Sequence, residues 1–168
     1  LPRAQGPGGK TLKSIIVLSD THGNRGDIRK LYPLFAECDC IIHLGDTSSD
    51  GSMIRSDFAG KTYLLNGNCD VPRLGEDTLT LEIEGVKIFA CHGDRLGVKR
   101  GTAELARRAA EEGADIALFG HTHRAVEEQK DGVTLFNPGT LSRYAAFKSY
   151  LYLAVYDKKF TGKIVELQ

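Results

Sequence analysis

The apolar positions of this chain fall into two rhythms. Five short, β-branched-rich runs, at residues 14–19, 40–44, 61–65, 86–90 and 115–119, are apolar almost without interruption. A strand exposed on one face alternates, so continuous runs predict strands covered on both faces. Between them the period lengthens. Ile28, Leu31, Leu34 and Phe35 recur at helical spacing and predict a helix over 27–36. Pro33 is expected to kink it, because proline lacks the N–H that a helix interior uses. Residues 99–112 are rich in Ala and Arg and stop before Gly113, a second helix with its terminator. Residues 53–58 predict a short third one.

Beyond residue 119 the style changes. Residues 124–129 and 133–136 flank Lys130-Asp131-Gly132, and 150–156 and 160–167 flank Asp157-Lys158-Lys159; both predict hairpins. A third is predicted for 79–83 with 86–90 around Glu84-Gly85. Strand–helix alternation followed by hairpins predicts an α/β fold with mixed sheets, as a single domain over 12–168. Residues 1–11 are Pro- and Gly-rich and lack the apolar stretch of a signal peptide. They are expected to be disordered and outside that domain.

Composition removes several classes. The 22 Lys and Arg balance the 22 Asp and Glu, so bulk charge makes no claim on nucleic acid or a membrane surface. No apolar run approaches the ~18–20 residues of a membrane helix. Cys38, Cys40, Cys69 and Cys91 form no C-x-x-C pair, which points to reduced thiols in a cytoplasmic protein. A four-thiolate zinc site is the weaker alternative, since it normally uses two close pairs.

Polar residues follow each of the five apolar runs. In order they are Ser19-Asp20-Thr21-His22, Gly45-Asp46, Asn66-Gly67-Asn68, Cys91-His92-Gly93-Asp94 and Gly120-His121-Thr122-His123. From Asp20 to Asp46, Asn68, His92 and His121 the steps are 26, 22, 24 and 29 residues, about one strand-to-strand unit with its crossover. Strands sharing a sheet would gather these groups at its carboxyl edge, where open α/β sheets bind ligands. Two carboxylates, one amide and four imidazoles form an O/N donor set that suits Mn²⁺, with Fe, Zn²⁺, Ni or Mg²⁺ as alternatives. Seven donors exceed the needs of one ion and match two, with Asp46, the lone carboxylate of the middle motif, as the natural bridge. Two ions ~3.5–4 Å apart clamp a phosphate and activate a bridging hydroxide for in-line attack.

Asp20-x-His22, Gly45-Asp46, Gly67-Asn68-x-Asp70, His92-Gly93 and Gly120-His121-x-His123 together resemble the signature of the calcineurin-like metallophosphoesterases. Gly-Asn-Cys-Asp, His-Gly-Asp and the short length are most similar to the small YfcE-type phosphodiesterases. The resemblance implies a four-layer α-β-β-α sandwich and a phosphoric diester hydrolase acting on a small diester. It places Asp20, His22, Asp46 and His123 on one metal, and Asp46, Asn68, His92 and His121 on the other. Asp46, Asn68 and His92 would be catalytic. Cys69 departs from the pattern: many members carry His there, beside the leaving group, and a thiol is a poorer proton donor. Cys69 is therefore expected to line the substrate pocket, and esters with good leaving groups to be favoured. On the same fold, the retromer subunit of vacuolar sorting is a protein-interaction scaffold, the alternative function; a homo-oligomer is left open.

Isolated motifs of this kind are usually turns or caps. His43, within an apolar run, is expected to support the site rather than bind metal. Arg95 and Arg143 are weak candidates for phosphate contacts, Thr122 a loop support, and Asn137-Pro138-Gly139-Thr140 a tight turn.

Overall fold

A computed structural model describes residues 11–168. Of the segment expected to be disordered, residues 1–10 lie outside the described residues, and Thr11 sits half-buried at an isolated bridge position. The first half of the fold runs β1 (Lys13–Leu18), α1 (Arg25–Lys30), α2 (Tyr32–Glu37), β2 (Cys40–His43), α3 (Ser48–Asp57) and β3 (Thr62–Leu64). It continues with β4 (Thr78–Ile83), β5 (Val86–Cys91), α4 (Ala103–Glu111), β6 (Ile116–Leu118), β7 (Val126–Lys130), β8 (Val133–Asn137), β9 (Ser149–Tyr156) and β10 (Lys159–Glu166).

Two mixed five-stranded sheets result, ordered β10-β9-β1-β2-β3 and β4-β5-β6-β8-β7. Strands β1, β2 and β3 are parallel, as are β5, β6 and β8, so each sheet holds three neighbouring strands that run in one direction. Ile15 and Val17 join Ile88, Ala90, Ile116 and Leu118 in a core between the sheets. Ile16 and Leu18, on the other face of the same strand, pack on Ile28, Leu31, Phe35 and Ile54 of the first helical layer. Leu105, Ala106 and Ala109 of α4 cover Phe89 and Ala117 of the second sheet. The α-β-β-α layering follows from the period of two along a strand: a run apolar at every position must be buried on both sides. No helix among the described residues is long and apolar enough to cross a membrane.

The departures from the sequence reading have local causes. The helix expected over 27–36 is two, broken at Leu31, with Pro33 in the first turn of α2, where a missing N–H costs nothing. The helix expected over 53–58 begins five residues earlier, at Ser48, among polar residues that periodicity does not register. The helix expected from 99 starts only at Ala103, after Gly101 at φ 147°, and Gly113 stops it at φ 74°. The turn read as Asp157-Lys158-Lys159 is a two-residue turn: Tyr156 pairs with Lys159, and Asp157 and Lys158 take φ 45° and 62°.

The start of α1 is tied to the strand β9 side by Asp27. Its buried carboxylate accepts from Asn24 (2.7 Å), forms ion pairs with Lys148 (2.5 Å) and Lys30 (2.9 Å), and is held well below the ordinary carboxylate pKa, chiefly by Lys148. A depressed native pKa stabilises the fold above the unfolded carboxylate's pKa and loses that contribution as pH falls. Asp27→Asn should therefore lower stability near neutral pH by about 1–3 kcal/mol. In denaturant melts the gap to wild type should narrow steadily below about pH 4; a gap independent of pH would refute the assignment.

Candidate metal centre

All five motifs follow strands of the two parallel sets. Asp20 and His22 follow β1, Asp46 follows β2, Asn68 lies beyond β3, His92 directly follows β5, and His121 and His123 follow β6. Because the parallel strands share a direction, their loops emerge at one edge of the sandwich. Asp20, Asp46 and His92 are buried there, His121 is half-buried, and His22, Asn68 and His123 are exposed. The centre thus has a buried floor and an open mouth.

Asp20 lies at its middle. Its Oδ1 is buried without a properly directed hydrogen bond, yet His123 Nε2 lies at 3.1 Å, His22 Nε2 at 3.9 Å and His92 Nε2 at 4.0 Å. Two groups of metal-ligating atoms share this carboxylate: Asp20, His22 and His123, and Asp20, Asp46 and His92. His92 Nδ1–H donates to the Leu44 carbonyl (2.9 Å), which leaves Nε2 facing Asn68 Oδ1 at 3.0 Å, His121 Nδ1 at 3.2 Å and Asp46 Oδ2 at 3.5 Å. Lone pairs crowd this volume, and something positive must separate them. A divalent cation answers that need, and the O/N donors suit Mn²⁺, Fe or Zn²⁺.

The electrostatics express the same need through protons. Burial alone would raise the pKa of Asp20, but His123, His92 and Ser19 outweigh it and pull it below the ordinary value. Burial likewise opposes ionisation of Asp46, and His92 with the Cys69 N–H overcomes it. Burial lowers His92, yet Asp46 and Asp20 raise it overall; Asp20 raises His123. His121 is lowered by burial, His92 and Lys99, which outweigh the opposing charges of Asp20 and Asp94.

Backbone amides and two glycines fix the carboxylates. Asp20 Oδ2 accepts from Ser19 Oγ and from the His121 N–H (3.0 Å), and Asp46 Oδ1 from the Cys69 N–H (2.9 Å). A Cβ on Gly67 would sit 2.0 Å from Asp46 Oδ1, and one on Gly120 would sit 2.1 Å from Ser19 Oγ. Neither position accepts a side chain without displacing a ligand.

Residues 14–159 match the calcineurin-like phosphoesterase superfamily domain. The chain belongs to that superfamily. The chain is 32% identical to the probable metallophosphoesterase YsnB of Bacillus subtilis, over 91% of this chain and 90% of that protein. It is 29% identical to the phosphodiesterase MJ0936 of Methanocaldococcus jannaschii, over 76% of this chain and 84% of that protein. Its fold is also that of Vps29 from Entamoeba histolytica, solved in complex with Zn²⁺ (TM-score 0.70, 17% identity, 92% of this chain and 99% of that one).

In this phosphoesterase-superfamily chain, the motifs hold supports as well as candidate ligands. His43 stands outside the centre and wholly buried: its Nδ1 accepts from the Gly45 N–H (3.1 Å), so Nε2–H donates to Thr21 Oγ1 (3.0 Å), which donates to Asp50 (2.7 Å). Arg95 is engaged by Asp77, and Arg143 reaches the Gly23 carbonyl. The stretch read as a simple turn does more than turn. Asn137 Nδ2 donates to the Gly120 carbonyl (3.1 Å) and Thr122 Oγ1 (3.0 Å), and Thr140 Oγ1 donates to the Asp20 carbonyl (2.7 Å).

Asp70 has a part in the site that its motif alone does not announce. Its buried carboxylate accepts from the backbone N–H groups of Asp46 (3.1 Å), Gly67 (2.7 Å) and Ser48 (2.5 Å), clasping two ligand loops together. Its spacing from Gly67 was the available signal. Asp70→Asn replaces one acceptor oxygen by a donor facing an amide. Mn²⁺ affinity, read by calorimetry on folded protein, should fall by about 10–100-fold although no ligand is removed; unchanged affinity would refute the role.

Proposed function

We propose that the chain is a metal-dependent phosphodiesterase with a two-ion centre, acting on small diesters. The observation that carries this reading is Asp20 Oδ1, a buried carboxylate oxygen without a directed hydrogen bond, ringed by three imidazole nitrogens. Asp20, His22, Asp46 and His123 would hold one divalent ion, and Asp46, Asn68, His92 and His121 the other, with Asp20 in reach of both sets. Bound there, such ions supply charge neutralisation at the phosphate and a water nucleophile made available at neutral pH.

The chain's own residues account for the rest. Leu44 fixes the His92 tautomer, so that Nε2 faces the centre. Asn68 stands at the open mouth, where its amide can orient a phosphate oxygen. Burial and the negative charge of Asp46 raise the Cys69 thiol's pKa, keeping it protonated. A thiol is a weak hydrogen-bond donor and a poor proton donor to an alkoxide. This favours esters whose leaving group departs as a stable anion.

The scaffold reading draws support from the shared Vps29 fold, and a Zn²⁺-complexed Vps29 means that metal binding alone does not separate the two. Hydrolysis does. Chelated protein should not cleave bis(4-nitrophenyl) phosphate, and Mn²⁺ should restore cleavage; undiminished turnover at zero metal content would end the proposal, and silence with every divalent metal would favour the scaffold. Of two histidine variants, His121→Ala should lose activity well beyond the ~10–100-fold expected when His43→Ala removes a supporting residue. Equal loss in two folded proteins would overturn that division.

Cys69→His supplies a better proton donor at the mouth. Its turnover on alkyl esters should rise relative to nitrophenyl diesters by about 10-fold, within the ~10²–10⁴ of general acid catalysis. An unchanged ratio in folded, metal-loaded protein would remove Cys69 from leaving-group control.

A further inference from the structure

Beside the His121–His123 loop opens a cleft of about 430 Å³, the size of a small-molecule site. Val98, Phe119 and Val126 give it an apolar lining, and Thr122, between the two histidines, forms part of its wall on the metal side. Lys99 and Arg124 line it as well, both exposed. Neither side chain has an ion-pair or hydrogen-bond partner among the described residues. This sets them apart from the arginines on the other flank of His92, where Arg73 and Arg95 share Asp77. The cleft's carboxylate, Glu128, is already engaged, by Thr102 Oγ1 (3.0 Å) and Lys130 (3.5 Å).

Two uncompensated cations over an apolar floor form a site for an organic anion with a flat or bulky body. The seven candidate ligands take up none of this surface, and the scissile phosphate belongs at the centre. We propose that the cleft binds a substituent of the ester, selecting diesters in which one substituent is a ring bearing its own carboxylate or phosphate. Lys99 and Arg124 bind that second anion, and Val98, Phe119 and Val126 the ring. This rests on the phosphodiesterase reading for its reaction but not for its binding.

A matched pair of diesters tests it, 4-nitrophenyl 4-carboxyphenyl phosphate against 4-nitrophenyl phenyl phosphate, on Mn²⁺-loaded protein at low ionic strength. Wild type should prefer the carboxyphenyl ester by about 10-fold in kcat/KM, through KM, as expected of charge-assisted contacts. In Lys99→Gln/Arg124→Gln the ratio should fall toward one. Lys159→Gln/Lys163→Gln, on β10, removes the same two charges and should keep it. No preference in wild type, survival of the preference in Lys99→Gln/Arg124→Gln, or equal loss in Lys159→Gln/Lys163→Gln would each overturn the proposal. Calorimetry with 4-carboxyphenylphosphonate and phenylphosphonate reads the same preference without turnover. If neither ester is cleaved but the carboxylated phosphonate binds more tightly and loses that advantage in Lys99→Gln/Arg124→Gln, the reaction is wrong and the subsite stands. Equal binding of both would overturn the subsite itself.

Discussion

The carboxylate of Asp20 is where the two sheets of this protein are made to agree. Asp20 follows β1 of the first sheet, yet its Oδ2 accepts the N–H of His121 from the second, and its carbonyl accepts from Thr140 ahead of β9. Oδ1 points into the ring of imidazoles instead of toward a donor. A buried ionised carboxylate costs several kcal/mol unless charge and hydrogen bonds surround it. The fold meets that cost by drawing four loops from two sheets to one point. The carboxylates raise the pKa of His92 and His123, and a metal at the same place would meet the demand for positive charge more fully. The same feature therefore orders the loops and creates the demand for metal.

Around that point the loops are fastened to one another rather than to the core. Asp70 clasps the Asp46 and Gly67 loops, Asn137 ties the Gly120 carbonyl to the Thr122 hydroxyl, and His43 with Thr21 and Asp50 braces the turn after Asp20. Each is a buried polar side chain satisfying backbone or side-chain groups that strand ends leave open. Rigidity at the floor coexists with exposure at the mouth, where Asn68, Cys69, His22 and His123 meet solvent. A centre built this way can take up metal with little rearrangement of its own.

Much of this was legible in the sequence because the signals were periodic or chemically dense. Runs apolar at every position announced strands buried on both faces, and Ile15/Val17 against Ile16/Leu18 show why: one strand serves two cores. The candidate ligands were legible because O/N donors recurred after each of the five apolar runs. Polar scaffolding was harder to see. Asp70 and Asn137 act on backbone amides and carbonyls, and such partners leave no mark on residue type. The early start of α3 was hidden for a related reason, since Ser48, Ser49 and Asp50 carry no apolar period. The paired cations Lys99 and Arg124 became visible only when the fold brought them to one cleft, 25 residues apart in a chain of zero net charge.

Backbone strain separates what the fold needs from what the site needs. Nine non-glycine residues among those described hold positive φ. Four of them, Glu84, Asp131, Asp157 and Lys158, lie in two-residue hairpin turns, where left-handed backbone matches the twist of the flanking strands. The other five are Asp20, His22, Asp46, His121 and His123, all of them candidate ligands. Each such residue costs about 1–2 kcal/mol that a glycine would avoid. Glycine brings no donor atom, however, and five strained side chains aimed at one small volume make sense only if their donors are needed there. Backbone strain thus points to metal binding independently of the motifs.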